Sequence, residues 1–479
     1  MSFKLVVLWT DAMIFLLLAV ALAGAWWIAQ KPHLLASWRR LFKRRMGMVA
    51  LLVLSLFVVI GLLDSIHYRA ALPPNPANLS IEPASGNDQP VYAAEVLSMF
   101  DVLVGNLRKH TEKTYSAPLA TYLYAKESME TPDGKVMREY PRLKYGGAHL
   151  ADPQQDHGAD LIKRSLFGLA AGWLGGVLLA LLWVSIAAAR NRVTARAWVE
   201  ARQDTPLNAV LATMMLLAML IGLIVNLASV YHVLGTDKVG QDVLYLTLKS
   251  IRTGLVIGTV TTLVMLPFAL FMGIAAGYYR GWVDDVIQYI YTVLSSIPSV
   301  LLIAAAVLMM QVTIEKHADW FATSVERADL RLLFLCLILG VTSWTGLCRL
   351  LRGESLKLRE LEYIQAAQAF GVSSLRILTR HILPNVMHIV LIAVVMDFSA
   401  LVLAEAVLSY VGVGVDPSTN SFGTLINNAR LEMGREPMVW WTLAAAFSFM
   451  LVLVLAANLF ADAVRDAFDP RLNRTGEEK

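Results

Sequence analysis

Charge is scarce in this sequence. Asp, Glu, Lys and Arg make up only 16% of its 479 residues, whereas 57% are hydrophobic. Soluble domains carry roughly 25% charged residues, so this balance excludes an ordinary soluble domain and implies several membrane-spanning helices. Cysteine is scarcer still. Cys336 and Cys348 share one apolar run, which excludes a disulfide framework and leaves them as small core residues. The nucleotide-cradling pattern G-x-x-x-x-G-K-[ST] does not occur, and its nearest fragment, Gly134-Lys135, lacks the rest. The chain has no ATPase loop of that kind. No metal-ligand cluster or nucleophile motif stands out, and His110 and His157 are isolated, as surface residues are.

What the chain has instead is apolar length. A helix needs about 20 apolar residues to cross the bilayer core. Nine runs qualify: 5–29, 46–63, 165–189, 207–230, 253–279, 286–310, 332–349, 386–411 and 438–460. Pro267 and Pro298 interrupt the fifth and sixth, where kinks are tolerable between packed helices. The first run is followed by positive charge rather than preceded by it, which favours a retained helix over a cleaved signal peptide.

Basic residues in short loops set the orientation. The stretch "KPHLLASWRRLFKRRMG" carries Lys31, Arg39, Arg40, Lys43, Arg44 and Arg45 and no acid. The loop with Arg190, Arg192, Arg196 and Arg202, the turn "YYRGWVDD", the stretch 350–385 and the tail with Arg465, Arg471 and Arg474 fall on the same side by parity. That side is expected to be cytoplasmic, with the N-terminus outside and the C-terminus inside. The largest outside segment, 64–164, opens with the loop-like "ALPPNPANLSIEPASGNDQP", and "AAEVLSMFDVLVGNLRKH" has helical spacing. A small, partly ordered cap is expected there.

The polar stretch "EYIQAAQAFGVSSLRILTRHILPN", Glu362 to Asn385, sits between two apolar runs. Ile364, Ala367 and Phe370 recur on one helical face. Gly371 allows a left-handed turn. Ser373 or Ser374 is placed to cap a second helix, and Pro384 to end it. Physics alone permits a plain amphipathic connector lying on the membrane.

The stretch resembles the cytoplasmic signature loop of ABC importer permeases: Glu-Ala-Ala, three residues, Gly, and Leu-Pro a dozen residues further. Ala366, Ala367, Gly371, Leu383 and Pro384 fit, Gln365 stands where the pattern has its glutamate, and Glu362 belongs to the opening typical of the peptide branch. "LGTDKVGQDVLYLTLKSIRTGLVIG" (234–258) is similar to the external segment of the oligopeptide, dipeptide and nickel permeases, with Gln241 in place of an arginine. "GIAAGYYRGWVDD" (273–285), "LAEAVLSYVGVGVDPSTNSFGTLI" (403–426) and "ADAVRDAFDPRL" (461–472) match their other loops and tail. The likeness is to the second, C-type, permease of that family.

The resemblance implies an all-α polytopic protein whose six core spans are 46–63 and the last five, in the type I importer permease fold. It divides the chain into an added helix and basic loop (1–45), the first core helix (46–63), an external insertion (64–164), an added helix pair (165–230), the permease core (231–473) with its coupling loop at 350–385, and a short tail (474–479). It also implies a bacterial inner-membrane location and, as partners, a homologous permease, two cytoplasmic ATPases, an external solute-binding protein and membrane lipid, but no nucleic acid. The chain itself is expected to catalyse no reaction and to hold no cofactor or metal, with ATP and Mg on the partner ATPases. Glu362, Ala366, Ala367, Gly371 and Pro384 would be the coupling residues. Peptides or peptide-like compounds lead as substrate.

Two acids fall inside the eighth run. A mid-membrane charge costs about 2.5–3.5 kcal/mol on insertion scales, so Asp397 and Glu405 are expected to face the pathway or a subunit seam, or else to be locally hydrogen-bonded structural acids. They are also the relay that a proton-driven secondary transporter, the alternative reading, would use. Asp11, near the end of the first run, is expected to snorkel to water.

Overall fold

The computed structural model describes residues 3–30, 32–71, 92–93, 95–130, 136–190, 206–317, 321 and 323–468. Among these residues nine helices are long and apolar enough to cross a membrane, and the chain is an all-α polytopic protein. The spans are α1 (Trp9–Ala29), α3 (Arg45–Asp64), α6 (Pro153–Arg190), α7 (Leu207–Ala228), α8 (Val243–Tyr279), α10 (Ser299–Lys316), α11 (Ser324–Arg359), α14 (Leu383–Tyr410) and α16 (Trp441–Phe468). Between them lie α2 (Pro32–Leu41), α4 (Met99–Leu103), α5 (Gly105–Lys109), α9 (Trp282–Ser296), α12 (Glu362–Ala369), α13 (Ser374–Ile377) and α15 (Phe422–Glu432). Arg192, Arg196, Arg202, Arg471, Arg474 and most of the proline-rich loop at 71–90 lie outside the described residues.

Several expectations are corrected, each for a local reason. The sixth span is not continuous over 286–310. Pro298 has no N–H to donate and pushes Ile297 to φ −88°, ψ 129°, so α9 stops and α10 starts afresh. Pro267, by contrast, stays inside an unbroken α8. The first span begins at Trp9, because Phe3–Val6 forms strand β1. It pairs antiparallel with β2 (His67–Ala70), which pairs in turn with β3 (Leu97–Ser98). The helix expected after Ala93 is only two single turns, α4 and α5, and a hairpin of β4 (Glu127–Glu130) and β5 (Val136–Glu139) follows.

Asp11 does not snorkel. It is fully buried, takes a hydrogen bond from Arg252 at 2.6 Å and lies 2.7 Å from His67 Nδ1. Arg252 also donates to Thr10 Oγ1 at 2.9 Å and lies 3.6 Å from Asp329. One turn earlier on α8, Lys249 reaches Asp64 at 2.6 Å and Asp101 at 3.2 Å, and Tyr245 donates to Asp101 at 2.8 Å. The reason is desolvation. A buried cation is tolerable only with counter-charges and hydrogen bonds around it, and α1, α3 and the insertion supply them.

These contacts define two ends. The strands, the insertion and the starts of α8 and α16 gather at one. The ends of α8 and α11 and the 360–385 stretch gather at the other.

Candidate functional site

The 362–385 stretch is anchored on one side and bare on the other. Ile364, Ile377 and Ile382 are fully buried against Tyr278, Ile287, Trp344, Leu347 and Leu351 at the ends of α8, α9 and α11. Polar ties fix the same seat: Arg352 grips Asp284 with two bonds of 2.6 and 2.7 Å, Arg359 donates to the Tyr278 carbonyl at 2.8 Å, and Gln368 reaches Tyr278 Oη at 3.3 Å. Arg280 pairs with Glu360, and Asn385 donates to Tyr363 Oη at 3.1 Å.

Gly371 holds φ +74°, with nothing within 4 Å of where a Cβ would stand. It turns the chain sharply after α12, and Phe370, just before it, lies outside the buried face that the spacing assigned to it. Phe370 is 87% exposed and Leu375 71%, with Tyr363 and Leu361 exposed nearby. Glu362 and Ala366 are exposed, and Ala367 packs partly inward. Ser373 is the N-cap residue of the second helix, but its side chain makes no capping bond. Pro384 does not end that helix. Leu378–Ile382 form a π turn in which Leu383 N–H bonds back to the Leu378 carbonyl, and the helix runs on through Pro384 to Tyr410. The wider turn accommodates a residue that has no N–H to offer. The loop is therefore one short helix, a glycine swivel and a rigid extension of α14.

The acids are placed separately. Glu405 is fully buried and accepts from Ser409 Oγ at 2.6 Å, beside the loop that returns to α15. Asp397 is half-buried farther down α14. Among the described residues no group of three or more His, Cys, Asp or Glu stands ready to hold a metal ion.

At the other end, the segment 234–242 is where the insertion docks. Thr236 Oγ1 accepts from Ser116 N at 2.6 Å and donates to Thr114 O at 2.8 Å, while Trp441 Nε1 donates to the Thr236 carbonyl at 3.0 Å. Asp242 caps α8 and lies 2.7 Å from His232 Nδ1. His232 Nε2 stands 3.4 Å from Glu112, whose carboxylate accepts from the backbone of Lys144, Tyr145 and Gly146. His110 and His157 are also engaged, by stacking on Tyr145 and by a 2.9 Å contact with the Leu119 carbonyl.

Burial opposes the charged form of His232, but Asp242 and Glu112 raise its pKa from 6.5 to about 9. Burial likewise opposes ionised Glu112, but His232 and the three backbone donors lower it from 4.5 to about 2. The His232 contribution to stability is full below pH 6.5 and is lost as pH rises through 9. That of Glu112 is full above pH 4.5 and is lost as pH falls through 2. The insertion should therefore exchange its amide protons more readily at pH 9.5, relative to intrinsic rates, than at pH 6. Equal protection of Glu112–Gly146 at the two values would contradict the clamp.

Lys249 and Arg252 were the residues that span-by-span reading passed over. The signal was present: two cations at i and i+3 ahead of an apolar run, with Asp11, Asp64 and Asp329 near the ends of other runs.

The family described as "Binding-protein-dependent transport system inner membrane component" matches residues 269–474. The oligopeptide transport system permease protein OppC of Mycobacterium bovis is 33% identical over 239 residues, 50% of this chain and 76% of that one. The dipeptide permease DppC of Lactococcus lactis is 30% identical over 240 residues, 50% of this chain and 64% of its own. The glutathione permease GsiD of Pectobacterium atrosepticum is 32% identical over 243 residues, 50% and 73% of the two chains. Among solved structures, the inward-facing MetNI methionine ABC transporter aligns with TM-score 0.36 and 16% identity, over 47% of this chain and 97% of that one.

Proposed function

The chain belongs to the inner-membrane permeases of binding-protein-dependent ABC importers, and we propose that it forms, with a homologous permease, the path by which peptides or peptide-like compounds enter the cell. Two ATPases carrying ATP and Mg bind on the side of the 362–385 loop, which is cytoplasmic. A solute-binding protein delivers cargo at the opposite face, beside the insertion, where the N-terminal strand also lies.

The observation that carries this reading is the loop. Ile364, Ile377 and Ile382 are buried in the permease while Phe370 stands 87% exposed. An exposed phenylalanine on a rigid seat is an anchor for a partner: burying such a side chain contributes about 1.5–3 kcal/mol. Glu362 and Ala366 border it, Ala367 backs it, Gly371 sets its angle, and the unbroken helix through Pro384 carries motion into α14. Closure of the ATPase dimer then moves loop and helix as one body. Glu405 secures the outer loop through Ser409. In this reading Asp397, half-buried on α14, faces the pathway or the permease seam.

The test is uptake of a labelled peptide into proteoliposomes holding the full complex. The expected result is import that needs ATP and the binding protein and continues when an ionophore collapses the proton gradient. Import that follows an imposed pH gradient without ATP would favour the proton-driven reading, with Asp397 and Glu405 as its relay.

A further inference from the structure

At the outer end, a cavity of about 190 Å³ lies between the 237–241 turn, the loop before α15, α15 itself and the start of α16. Its lining is mostly polar and includes one cation, Lys238; Asp237, Gln241, Asn420, Asn428, Glu432 and Thr442 carry the argument. Glu432 is 4% exposed and Thr442 is 2% exposed. Tyr115 Oη donates to Glu432 Oε1 at 3.2 Å, but Glu432 Oε2 and Thr442 Oγ1 are buried with no partner. A buried polar atom without a partner is costly, about 1–3 kcal/mol, and two residues of this one small lining, Glu432 and Thr442, each carry one.

The cavity's charge indicates which. Burial pushes the carboxyls of Asp237 and Glu432 up, and the charge of Asp237 pushes Glu432 further. Asp237 uses one oxygen to accept from Val239 N and Gln241 N at 2.9 and 2.8 Å. Lys238 and Arg435 oppose the rise at Glu432 from nearby, yet neither makes an ion pair with it among the described residues, and Arg435 lies instead over the Tyr115 ring. Lys238 also lines the cavity, so its two acids leave one net negative charge, and with the amide and hydroxyl oxygens around them they match a group with three N–H donors and one positive charge.

We propose that this cavity binds the primary ammonium of an incoming solute, Glu432 and Asp237 neutralising it and Thr442 and the amide oxygens accepting its remaining protons. Resting on the peptide reading above, this makes the cavity the receiving point for a peptide's free amino end at the outer mouth. Cargo with a blocked amino end would forgo it.

The test uses the complex with Ser418→Cys, an exposed position on the cavity wall. Cys336 and Cys348 are buried and give little background. Reaction of the new thiol with a small neutral maleimide is timed with glycylglycinamide or with its N-acetyl form. The free amine is expected to slow labelling about tenfold more than the acetylated form, the scale of a charge-assisted contact in a buried site. Glu432→Gln should erase that preference. Thr442→Val should weaken it without lowering the unfolding temperature, because it removes a hydroxyl that lacks a partner. Equal protection by both compounds, protection by calcium chloride in place of the amine, or none, overturns the proposal. If peptides are imported but the thiol is unprotected, the site fails and the peptide reading stands. If the amine protects but no peptide is imported, the site stands and the peptide reading fails.

Discussion

Gly371→Val is expected to remove most ATP-driven uptake while the protein still inserts and its bundle unfolds at nearly the wild-type temperature. Gly371 sits at φ +74° with open space around its missing side chain, so the substitution meets no clash. The penalty is all in the backbone. A residue with a Cβ pays about 1–2 kcal/mol in the left-handed region, and a β-branched one more. The cheapest relief is to re-angle α12, which moves Phe370 away from where a partner must find it. Gly371→Asn should keep most activity, since asparagine visits this conformation with less strain. Uptake and substrate-stimulated hydrolysis in reconstituted complexes are the readouts. Wild-type rates in the valine variant would show that the swivel is not part of coupling.

The second large effect concerns the added pair. Gly172→Leu is expected to separate α6 from α7. A Cβ at Gly172 would stand 2.4 Å from the Ala218 carbonyl oxygen and 2.7 Å from Met219 Cα, and one at Gly222 would stand 2.7 Å from Gly172 Cα. Small residues let two membrane helices approach this closely. Overpacking typically costs about 1–3 kcal/mol when side chains can yield, but the atoms met here are backbone, so the helices must part. The 165–230 region should then become protease-sensitive at a lower temperature, while copurification with the ATPases continues because the 362–385 loop is untouched. An unchanged protease profile would contradict the packing. Loss of the ATPases would contradict the independence of the loop from the pair.

What could be read in advance, and what could not, divides along physical lines. Span number followed from apolar length, which nothing in tertiary structure can disguise. The swivel at Gly371 followed from a glycine between two helix-forming stretches. The break at Pro298 was ambiguous, because Pro267 reads the same way locally and only packing separates the two cases. Phe370 was misplaced because a spacing of three drifts about 60° per step round a helix of 3.6 residues per turn, so it stands about 120° from Ile364, past the buried face. The burial of Asp11 was illegible locally. Its partners, His67 and Arg252, lie 56 and 241 residues away, and no short-range pattern announces pairing over such distances. The ammonium cavity was hidden for the same reason: its walls come from three separate segments.

The central claim is that separate ATPases seize this permease at the tip of the 362–385 loop. Ala369→Cys, an exposed position beside Phe370 that leaves the anchor in place, tests it most directly, with a membrane-impermeant maleimide applied to each face of oriented membranes in turn. The account predicts labelling from the cytoplasmic face only, and protection from that label when the ATPases are bound. Labelling from the outer face, or equal labelling with and without the ATPases, would contradict it.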